Sequence, residues 1–484
     1  MDKIISQKYI TGLVFLFVIL LNFCIKILGI SYNQVALDEP FSIYYSQFSV
    51  KDIVSTLLQG NNPPVYELFL HYWITLFGID VISVRLPSVI FSSLAAGIFF
   101  LVAKRTMPLG IALGTGLIFT FSLQFIYFSH EARSYALLIC VLMLATLFFL
   151  KSADKPSNKF VLLLASLTAA LAVYVHYLAL IPIALFLVSF VFYWVNKRNA
   201  IFLLYPLFTL LFLSPLLFYV FKRISQINET GLWGNSPEWT QLYGFLNIFL
   251  NGKLSTLLLG ILLITGIVIL KFTKMKIEYQ KHLIWPFLFF GSYIILFFVS
   301  FRAPLFIERY VQIAIPFLYL SVGVFFTIIS AHKKWFHFAF ALFIIGILIQ
   351  TDIYPDNNRK PHQAAIKAEK FKTMNPDGAV ILSPFWIQYG FTYYYNSDIF
   401  KSANLDSALK EESIFSIWDK PGAERWIQEY KTEYSRILFI DGDEAFLKND
   451  NLVFSSFSDR YLIMAEFEID EATKVYELIH KDIL

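Results

Sequence analysis

The chain has 484 residues, of which 57% are hydrophobic and only 15% charged, and its mean hydropathy is +0.62. This composition excludes an ordinary soluble globular protein and is typical of a membrane protein. The net charge of +4 comes from basic residues scattered over short loops, so nucleic acid is not expected as a partner. Cys24 and Cys140 lie in apolar runs, which argues against a disulfide framework or a cysteine metal site.

About eleven hydrophobic runs have roughly the 20 residues that a membrane-spanning helix needs. They lie near residues 9–30, 84–103, 109–128, 134–150, 160–176, 178–195, 200–221, 254–271, 283–301, 310–330 and 335–351. The first run ends in KILGISYNQ, without a small-residue cleavage site, so it is expected to be a retained span rather than a removed signal peptide. The sequence therefore predicts a polytopic α-helical membrane protein.

The distribution of Lys and Arg predicts the orientation of these spans. If the N-terminus is cytoplasmic, most basic residues of the short loops fall on the inner side, whereas the outer loops mix basic and acidic residues. The apolar segment 64–78 is too short to span and carries Glu67 and His71. Counting it as a span would reverse every later loop, so we expect a helix in the outer interface. The C-terminus is then extracytoplasmic.

The composition changes after residue 351, where the polar stretch DIYPDNNRKPHQ begins. We expect a transmembrane domain at 1–351, with a first outer loop at 31–83 that carries juxtamembrane helices, and a soluble domain at 352–484. In the latter, AVILS and RILFID resemble short buried strands, whereas HQAAIKAEKFKTM and AERWIQEYKTEY are typical of helices. This predicts a small extracytoplasmic α/β domain. The IDGDE segment, with Asp441 and Asp443 around a Gly, is interpreted as a turn rather than a metal motif.

Most unusual polar residues lie at the predicted outer ends of the spans. They are Asp38 and Glu39, the NNPP segment at 61–64 with Tyr66 after it, Arg85, the SHEARSY segment at 129–135, His176 in YVHY, and the FRAPLFIERY segment at 301–310. Ionisable groups at membrane depth cost roughly 2.5–3.5 kcal/mol each and usually serve a site or pathway. The cluster on one side of the membrane therefore indicates a functional site.

Acids and arginines together at a membrane surface suit the transfer of a group carried on a lipid phosphate. A carboxylate can take a proton from an attacking hydroxyl, and a guanidinium can bind a phosphate through two hydrogen bonds. Structural alternatives remain open for each residue. Arg85 and Arg309 can be interface anchors, His176 can be a helix-end histidine bonded to a carbonyl, and the pair Glu131 and Arg133 can bind Glu308 and Arg309.

The order of these pieces resembles the protein mannosyltransferase-like group of GT-C glycosyltransferases. The pieces are an acid pair in the first outer loop, a Pro-Pro entry to a juxtamembrane helix ending in LFG, then RLPS, HEARSY, and ERY before the Pro-bearing span at IPFLYL. The group includes glycosyltransferase family 39 and the bacterial lipid A aminoarabinose transferases. The resemblance covers roughly residues 1–350. It implies a sugar donor linked to a polyprenyl phosphate, an extracytoplasmic acceptor and inversion at the anomeric carbon.

The resemblance also implies roles for individual residues. Asp38 corresponds to the acid that acts on the acceptor, and Glu39 is its usual neighbour. Arg133 and Arg309, with Arg85, are the expected donor phosphate-binding residues. Asn62 stands where the group commonly has His, a departure from its His-Pro-Pro pattern. The further candidates for the substrate cavity are Asn62, Tyr66, His130, Glu131, Tyr135, His176, Arg302, Glu308 and Tyr310.

The sequence therefore predicts a multi-pass enzyme of the inner (plasma) membrane that moves a hexosyl or pentosyl group from a polyprenyl-phosphate sugar to a lipid, glycan or protein acceptor. Membrane lipids are its other expected contacts. No metal-ligating residues are assigned, and whether a divalent metal takes part is left open. The alternatives are a polysaccharide polymerase or ligase that uses lipid diphosphate donors, and a transporter of lipid-linked glycans.

Overall fold

The computed structural model describes residues 2–60, 62–230, 236–272, 283–430, 432–442 and 451–483. It divides into two compact units. One comprises Met1–Ile30, Lys51–Phe69 and Arg85–Pro355, and the other comprises Ser31–Val50, Leu70–Val84 and Asp356–Leu484.

Up to residue 355, the described residues form helices joined by turns and loops, with no strand among them. Its α-helices are α1 (Asp2–Leu28), α2 (Glu39–Tyr45), α3 (Val50–Leu57), α4 (Val65–Phe77), α5 (Val81–Thr106), α6 (Leu109–Thr120), α7 (Leu123–Tyr127), α8 (Tyr135–Asp154), α9 (Lys159–Val175), α10 (Leu180–Lys197), α11 (Leu204–Thr230), α12 (Gln241–Phe249), α13 (Lys253–Phe272), α14 (Ile284–Val299), α15 (Glu308–Val311), α16 (Ile315–Ser330) and α17 (Trp335–Ile349). Short 3₁₀ turns lie at Phe128–His130, Tyr177–Ala179, Ala200–Leu203 and Gln312–Ala314.

Within the described residues, six helical segments are long and apolar enough to cross a membrane, or up to eight if each of two bent pairs forms one span. The six are Gln7–Leu28, Val81–Thr106, Tyr135–Asp154, Tyr177–Lys197, Ala200–Tyr219 and Glu308–Ser330. Three other predicted runs form the shorter apolar helices α9, α14 and α17. A multi-pass helical protein is thus confirmed, whereas the count of eleven spans stays a prediction. The segment 64–78 is helical as α4, and its place in the outer interface also stays a prediction.

Two helix pairs are broken, and one asparagine binds at both breaks. The axis bends by 57° between α6 and α7 and by 100° between α12 and α13. Asn251, in the second break, has a φ of 61°, a left-handed conformation that Asn tolerates better than most residues. Its Oδ1 accepts from the backbone N–H of Leu123 at 2.9 Å, and its Nδ2 donates to the carbonyl of Phe121 at 2.6 Å. The side chain therefore replaces helix hydrogen bonds that the first break leaves unmade.

Tyr319 of α16 binds at the same two breaks. Its buried hydroxyl lies 2.9 Å from Ser122 Oγ and 2.5 Å from the carbonyl oxygen of Phe249. Aromatic rings pack beside it: the ring of Phe125 lies edge-on to Tyr319 at a centroid distance of 6.3 Å and tilted against Phe119 at 4.3 Å. The many Phe residues of the sequence thus form the core between helices as well as the apolar exterior.

The chain after residue 355 folds as α/β. Its elements are α18 (Pro361–Met374), β1 (Ala379–Ser383), α19 (Ile387–Tyr395), α20 (Ser397–Phe400), α21 (Leu405–Glu411), β2 (Ile414–Ser416), α22 (Lys420–Tyr430), β3 (Arg436–Asp441), α23 (Leu452–Ser458), β4 (Tyr461–Asp470) and β5 (Thr473–His480), with a 3₁₀ turn at Lys481–Ile483. The sheet order is β2-β1-β3-β5-β4. β2, β1 and β3 are parallel, and β5 pairs antiparallel with β3 and β4.

Both predicted strands and both predicted helices are present. AVILS is β1, a fully buried central strand, and RILFID is β3. α22 ends at Tyr430, earlier than the predicted helix, and Tyr434 N–H closes a turn onto the Tyr430 carbonyl. The predicted turn around Asp441 and Asp443 falls largely outside the described residues. Asp441 itself is buried and accepts a hydrogen bond from Asn451.

Segments 31–50 and 70–84 of the first loop belong to the same compact unit as residues 356–484. The backbone N–H of Asn357 donates to Asn33 Oδ1 at 3.0 Å, and the N–H of His362 donates to Gln34 Oε1 at 2.9 Å. α2 packs on α19, where the hydroxyls of Tyr45 and Tyr389 lie 3.2 Å apart. The sequence boundary at 351/352 therefore lies four residues before the boundary of the unit, and it leaves out these two loop segments.

Candidate functional site

Five of the predicted site residues come together in the helical unit. Arg133 precedes α8, which Tyr135 begins, His176 lies between α9 and the next 3₁₀ turn, and Arg309 and Tyr310 belong to α15. The His176 ring lies 5.9 Å from that of Tyr135 and 5.8 Å from that of Tyr310, between centroids. The guanidinium carbon of Arg133 is 5.9 Å from the Tyr135 ring, and that of Arg309 is 5.4 Å from the Tyr310 ring. A histidine is thus flanked by two tyrosines, each of which contacts an arginine.

His176 is the most enclosed member of this Arg133–His176–Arg309 cluster. It is 2% exposed, and its Nδ1 accepts a hydrogen bond from the backbone N–H of Leu178 at 3.2 Å. Burial and the positive charges of Arg133 and Arg309 lower the pKa of His176 to about 3. The imidazole is therefore neutral at physiological pH. The structure thus has His176 at a helix end, as the structural alternative supposed, but its bond is to a backbone N–H and not to a carbonyl.

The two arginines give the cluster a positive character. Arg133 is 6% exposed and Arg309 is half-buried. Both charges act on the neutral His176 ring between the two tyrosines. Guanidinium groups match the geometry of phosphate and carboxylate oxygens, so the cluster can hold an anionic group of that kind.

The other predicted members of these loops have different environments. The carbonyl of Glu131 accepts from Ser88 Oγ at 2.7 Å and from the N–H of Arg133 at 2.9 Å, which fixes the turn that carries Arg133. Glu308 at the start of α15 is hydrogen-bonded to Gln124. Arg302 is exposed in the turn after α14.

Arg85 and His130 belong to a second buried group at the end of α1. Arg85 is completely buried and its Nη1 donates to the carbonyl of Ile30 at 2.9 Å. His130 Nε2 donates to the carbonyl of Lys26 at 2.7 Å, and Lys26 Nζ donates to Ser92 Oγ at 2.5 Å. These contacts fix the end of α1, so they give Arg85 and His130 a structural task.

Gly29 lets this second group pack closely. A Cβ at this position would lie 2.5 Å from His130 Cε1 and 2.7 Å from the carbonyl oxygen of Ile353, both far below a normal contact. Lys26 was missed by the sequence analysis because it lies inside an apolar run. The signal that could have found it is a lone ammonium in a spanning segment, which is rare without a partner.

The entry to α4 contributes two more candidates. Tyr66 is completely buried, and Asn62 stands just before the two prolines that precede the helix. Asn62 Oδ1 is buried and has no hydrogen-bond partner among the residues that the structure describes. A buried amide oxygen in that condition is an acceptor for a ligand hydroxyl.

Asp38 and Glu39 lie in the other compact unit, at the start of α2. Glu39 is the first residue of α2 and is 1% exposed, whereas Asp38 is the preceding cap residue and is partly exposed. The backbone here forms a turn that leads into the helix. Leu37 in that turn has a φ of 56°, a left-handed conformation that costs a leucine about 1–2 kcal/mol. Such strain is common where a backbone positions a functional group.

A metal site needs several oxygen, nitrogen or sulfur donors close together. Among the described residues, no three or more His, Cys, Asp and Glu side chains form a group that could hold a metal ion.

The apolar helices of the described residues define the class as a polytopic membrane protein. Residues 61–219 match the family described as dolichyl-phosphate-mannose-protein mannosyltransferase. The structure is similar to that of ArnT from Cupriavidus metallidurans in the apo state, with 13% identity, 98% of each chain covered and a TM-score of 0.58. It is also similar to the same ArnT bound to undecaprenyl phosphate, with 11% identity, 96% of this chain and 98% of that chain covered, and a TM-score of 0.59.

No curated protein matches the chain. The resemblance to the protein mannosyltransferase-like GT-C group, inferred from the order of the sequence motifs, is nevertheless confirmed. At these identities the structural likeness establishes the fold, and the matched segment 61–219 contains Arg85, His130, Arg133 and His176.

Proposed function

We propose that this protein is a membrane glycosyltransferase that moves a sugar from a polyprenyl phosphate to an acceptor, with inversion at the anomeric carbon. The observation that carries the proposal is the Arg133–His176–Arg309 cluster. It combines two cations with a buried neutral histidine, a composition suited to a phosphate, in a fold whose relative ArnT has been seen with undecaprenyl phosphate.

In the proposed mechanism, Arg133 and Arg309 bind the donor phosphate and stabilise its charge as it leaves. The acceptor hydroxyl or amine attacks the anomeric carbon, and the bond from that carbon to the phosphate oxygen breaks. The lipid phosphate departs with the bonding electron pair. The acceptor loses its proton to Asp38, the proposed general base, whose contribution to such a step is typically about 10²- to 10⁴-fold. Asn62 and Tyr66 are the proposed acceptor or sugar contacts.

The proposal includes a topology. In this topology the N-terminus is cytoplasmic, eleven spans follow, and the site and residues 352–484 are extracytoplasmic; the excess of Lys and Arg in the inner loops supports it. The hexosyl or pentosyl group and the lipid, glycan or protein acceptor follow from the same family resemblance and are not distinguished by the residues of the cluster.

The experiment is a transfer assay with purified protein and membrane extract as the source of acceptor. Radiolabelled polyprenyl-monophosphate pentoses and hexoses are supplied, and released polyprenyl phosphate is measured. We expect release with a monophosphate donor, a fall of about 10²- to 10⁴-fold in Asp38→Asn, and little change in the control Asp52→Asn, an exposed acid of α3. Polyprenyl-diphosphate sugars are supplied in parallel, and transfer from these donors alone, with release of polyprenyl diphosphate, would indicate a polymerase or ligase and contradict the proposal.

A further inference from the structure

The backbone around His176 determines which of its ring nitrogens carries the hydrogen. Leu178 N–H donates to Nδ1, so Nδ1 must present its lone pair. In a neutral imidazole the hydrogen is then on Nε2, which makes Nε2 a donor. Protonation of Nδ1 would break this hydrogen bond and add a third positive charge beside Arg133 and Arg309. The hydrogen bond from Leu178, the positive charges of Arg133 and Arg309, and burial therefore hold the ring in one neutral tautomer.

The Nε2–H donor has no hydrogen-bond partner within the part of the chain that the structure describes. His176 is nevertheless buried, with only 2% of its surface exposed. Buried donors are nearly always satisfied, so an exception in a native fold calls for a ligand. The neighbouring side chains indicate which ligand. Tyr135 and Tyr310 flank the ring, and each of them contacts an arginine guanidinium group. The positive charge near the Nε2–H donor favours an anionic acceptor.

We propose that His176 Nε2–H donates a hydrogen bond to a phosphate oxygen of the anion held by Arg133 and Arg309. This inference rests on the proposed function and deepens it, because it assigns a third phosphate ligand. A neutral donor contributes direction without further positive charge. It orients the phosphate between the two arginines and leaves its release, once the sugar has been transferred, less costly than release from a third cation.

Two substitutions separate this role from a structural one. In His176→Asn, the Oδ1 atom lies as far along the side chain as Nδ1 and can still accept from Leu178 N–H, but the Nε2 donor is lost. In His176→Gln, the Nε2 atom replaces the donor, but the acceptor for Leu178 N–H is lost. A positioning role therefore predicts that Gln substitutes for His, whereas a capping role predicts that Asn does.

The experiment measures the affinity of purified full-length wild type, His176→Asn and His176→Gln for polyprenyl phosphate, polyprenol and inorganic phosphate. We expect His176→Asn to lose about ten- to hundredfold in affinity for polyprenyl phosphate, the range for a hydrogen bond to a charged group. Polyprenol affinity should not change, and His176→Gln should recover most of the loss. If inorganic phosphate also binds, with the same dependence on His176, the phosphate group alone is enough for recognition by His176. If only polyprenyl phosphate binds, the polyprenyl chain is also needed for affinity.

The outcomes distinguish the two claims. Wild type that binds polyprenyl phosphate no better than polyprenol would overturn the proposed function. Wild type that prefers the phosphate, with His176→Asn unchanged, would overturn the donor role alone, as would a loss in His176→Gln only. If His176→Asn fails to fold, His176→Gln decides, with Arg133→Ala measured beside it as the reference for a lost phosphate ligand. Near wild-type affinity of His176→Gln supports the donor role, and a loss comparable to that of Arg133→Ala refutes it.

Discussion

Replacing Asn251 with Ala should lower the stability of the helical unit by about 2–5 kcal/mol, because one side chain holds two helix breaks. The Leu123 N–H would lose its partner in a partly buried position, which costs about 1–3 kcal/mol. The carbonyl of Phe121 would keep a bond from Thr351 Oγ1 at 3.1 Å, so its loss is smaller. An alanine at a φ of 61° adds about 1–2 kcal/mol of backbone strain.

The assay is thermal unfolding of purified variants in one detergent, with Asn251→Gly and Asn251→Asp beside the alanine. Glycine removes the backbone strain but not the lost hydrogen bonds, so Asn251→Gly should melt between wild type and Asn251→Ala. Aspartate keeps the acceptor for Leu123 N–H but turns a carboxylate towards the Phe121 carbonyl, so it should also destabilise. An alanine variant that melts with wild type would refute the reasoning that Asn251 holds the breaks.

The remaining predictions concern packing and topology. Tyr319→Phe should destabilise the helical unit by about 0.5–1.5 kcal/mol, because it deletes the hydroxyl that donates to Ser122 and Phe249. This is less than the effect of Asn251→Ala, since no backbone donor loses its partner, and equal melting temperatures for the two variants would contradict the prediction. Gly29→Ala should lower the melting temperature through its clash with His130 and Ile353, whereas Gly12→Ala, with nothing within 4 Å, should not, and equal effects would remove the packing argument. A reporter that works only outside the cytoplasm should be active when it is fused after Leu484. Activity of a reporter that works only in the cytoplasm, at the same fusion point, would contradict the proposed topology.

The sequence predicted what depends on local pattern and length. Long apolar runs predicted helices, and short runs rich in β-branched residues, such as AVILS, predicted buried strands. The spacing of apolar residues and the length of a run reflect which side chains are buried. The Asn-Gly pair at 251–252 also carries a local turn signal. The break at residues 121–122 has no comparable signal, because its stability comes from Asn251, 130 residues further on.

Long-range contacts account for the features of the structure that the sequence did not predict. Segment 31–50 hydrogen-bonds to residues more than 300 positions away, as Asn33 does to Asn357, and nothing local in the sequence indicates that pairing. The residues of the Arg133–His176–Arg309 cluster could be chosen from the sequence as unusual polar groups at span ends. The tautomer of His176 could not, since it depends on the turn that brings Leu178 N–H to Nδ1. Arg85, grouped with the phosphate ligands by resemblance, has a role at the end of α1 that only the fold reveals.

The most direct test of the central claim is the lipid that the purified protein retains, measured by native mass spectrometry in gentle detergent. The account predicts that wild type retains one polyprenyl phosphate when given equal amounts of polyprenyl phosphate and polyprenol. The double variant Arg133→Ala/Arg309→Ala should lose this preference, while the control Arg425→Ala, at an exposed arginine of α22, keeps it. Retention of polyprenyl phosphate by the double variant at the wild-type level would contradict the assignment of this cluster as the phosphate site.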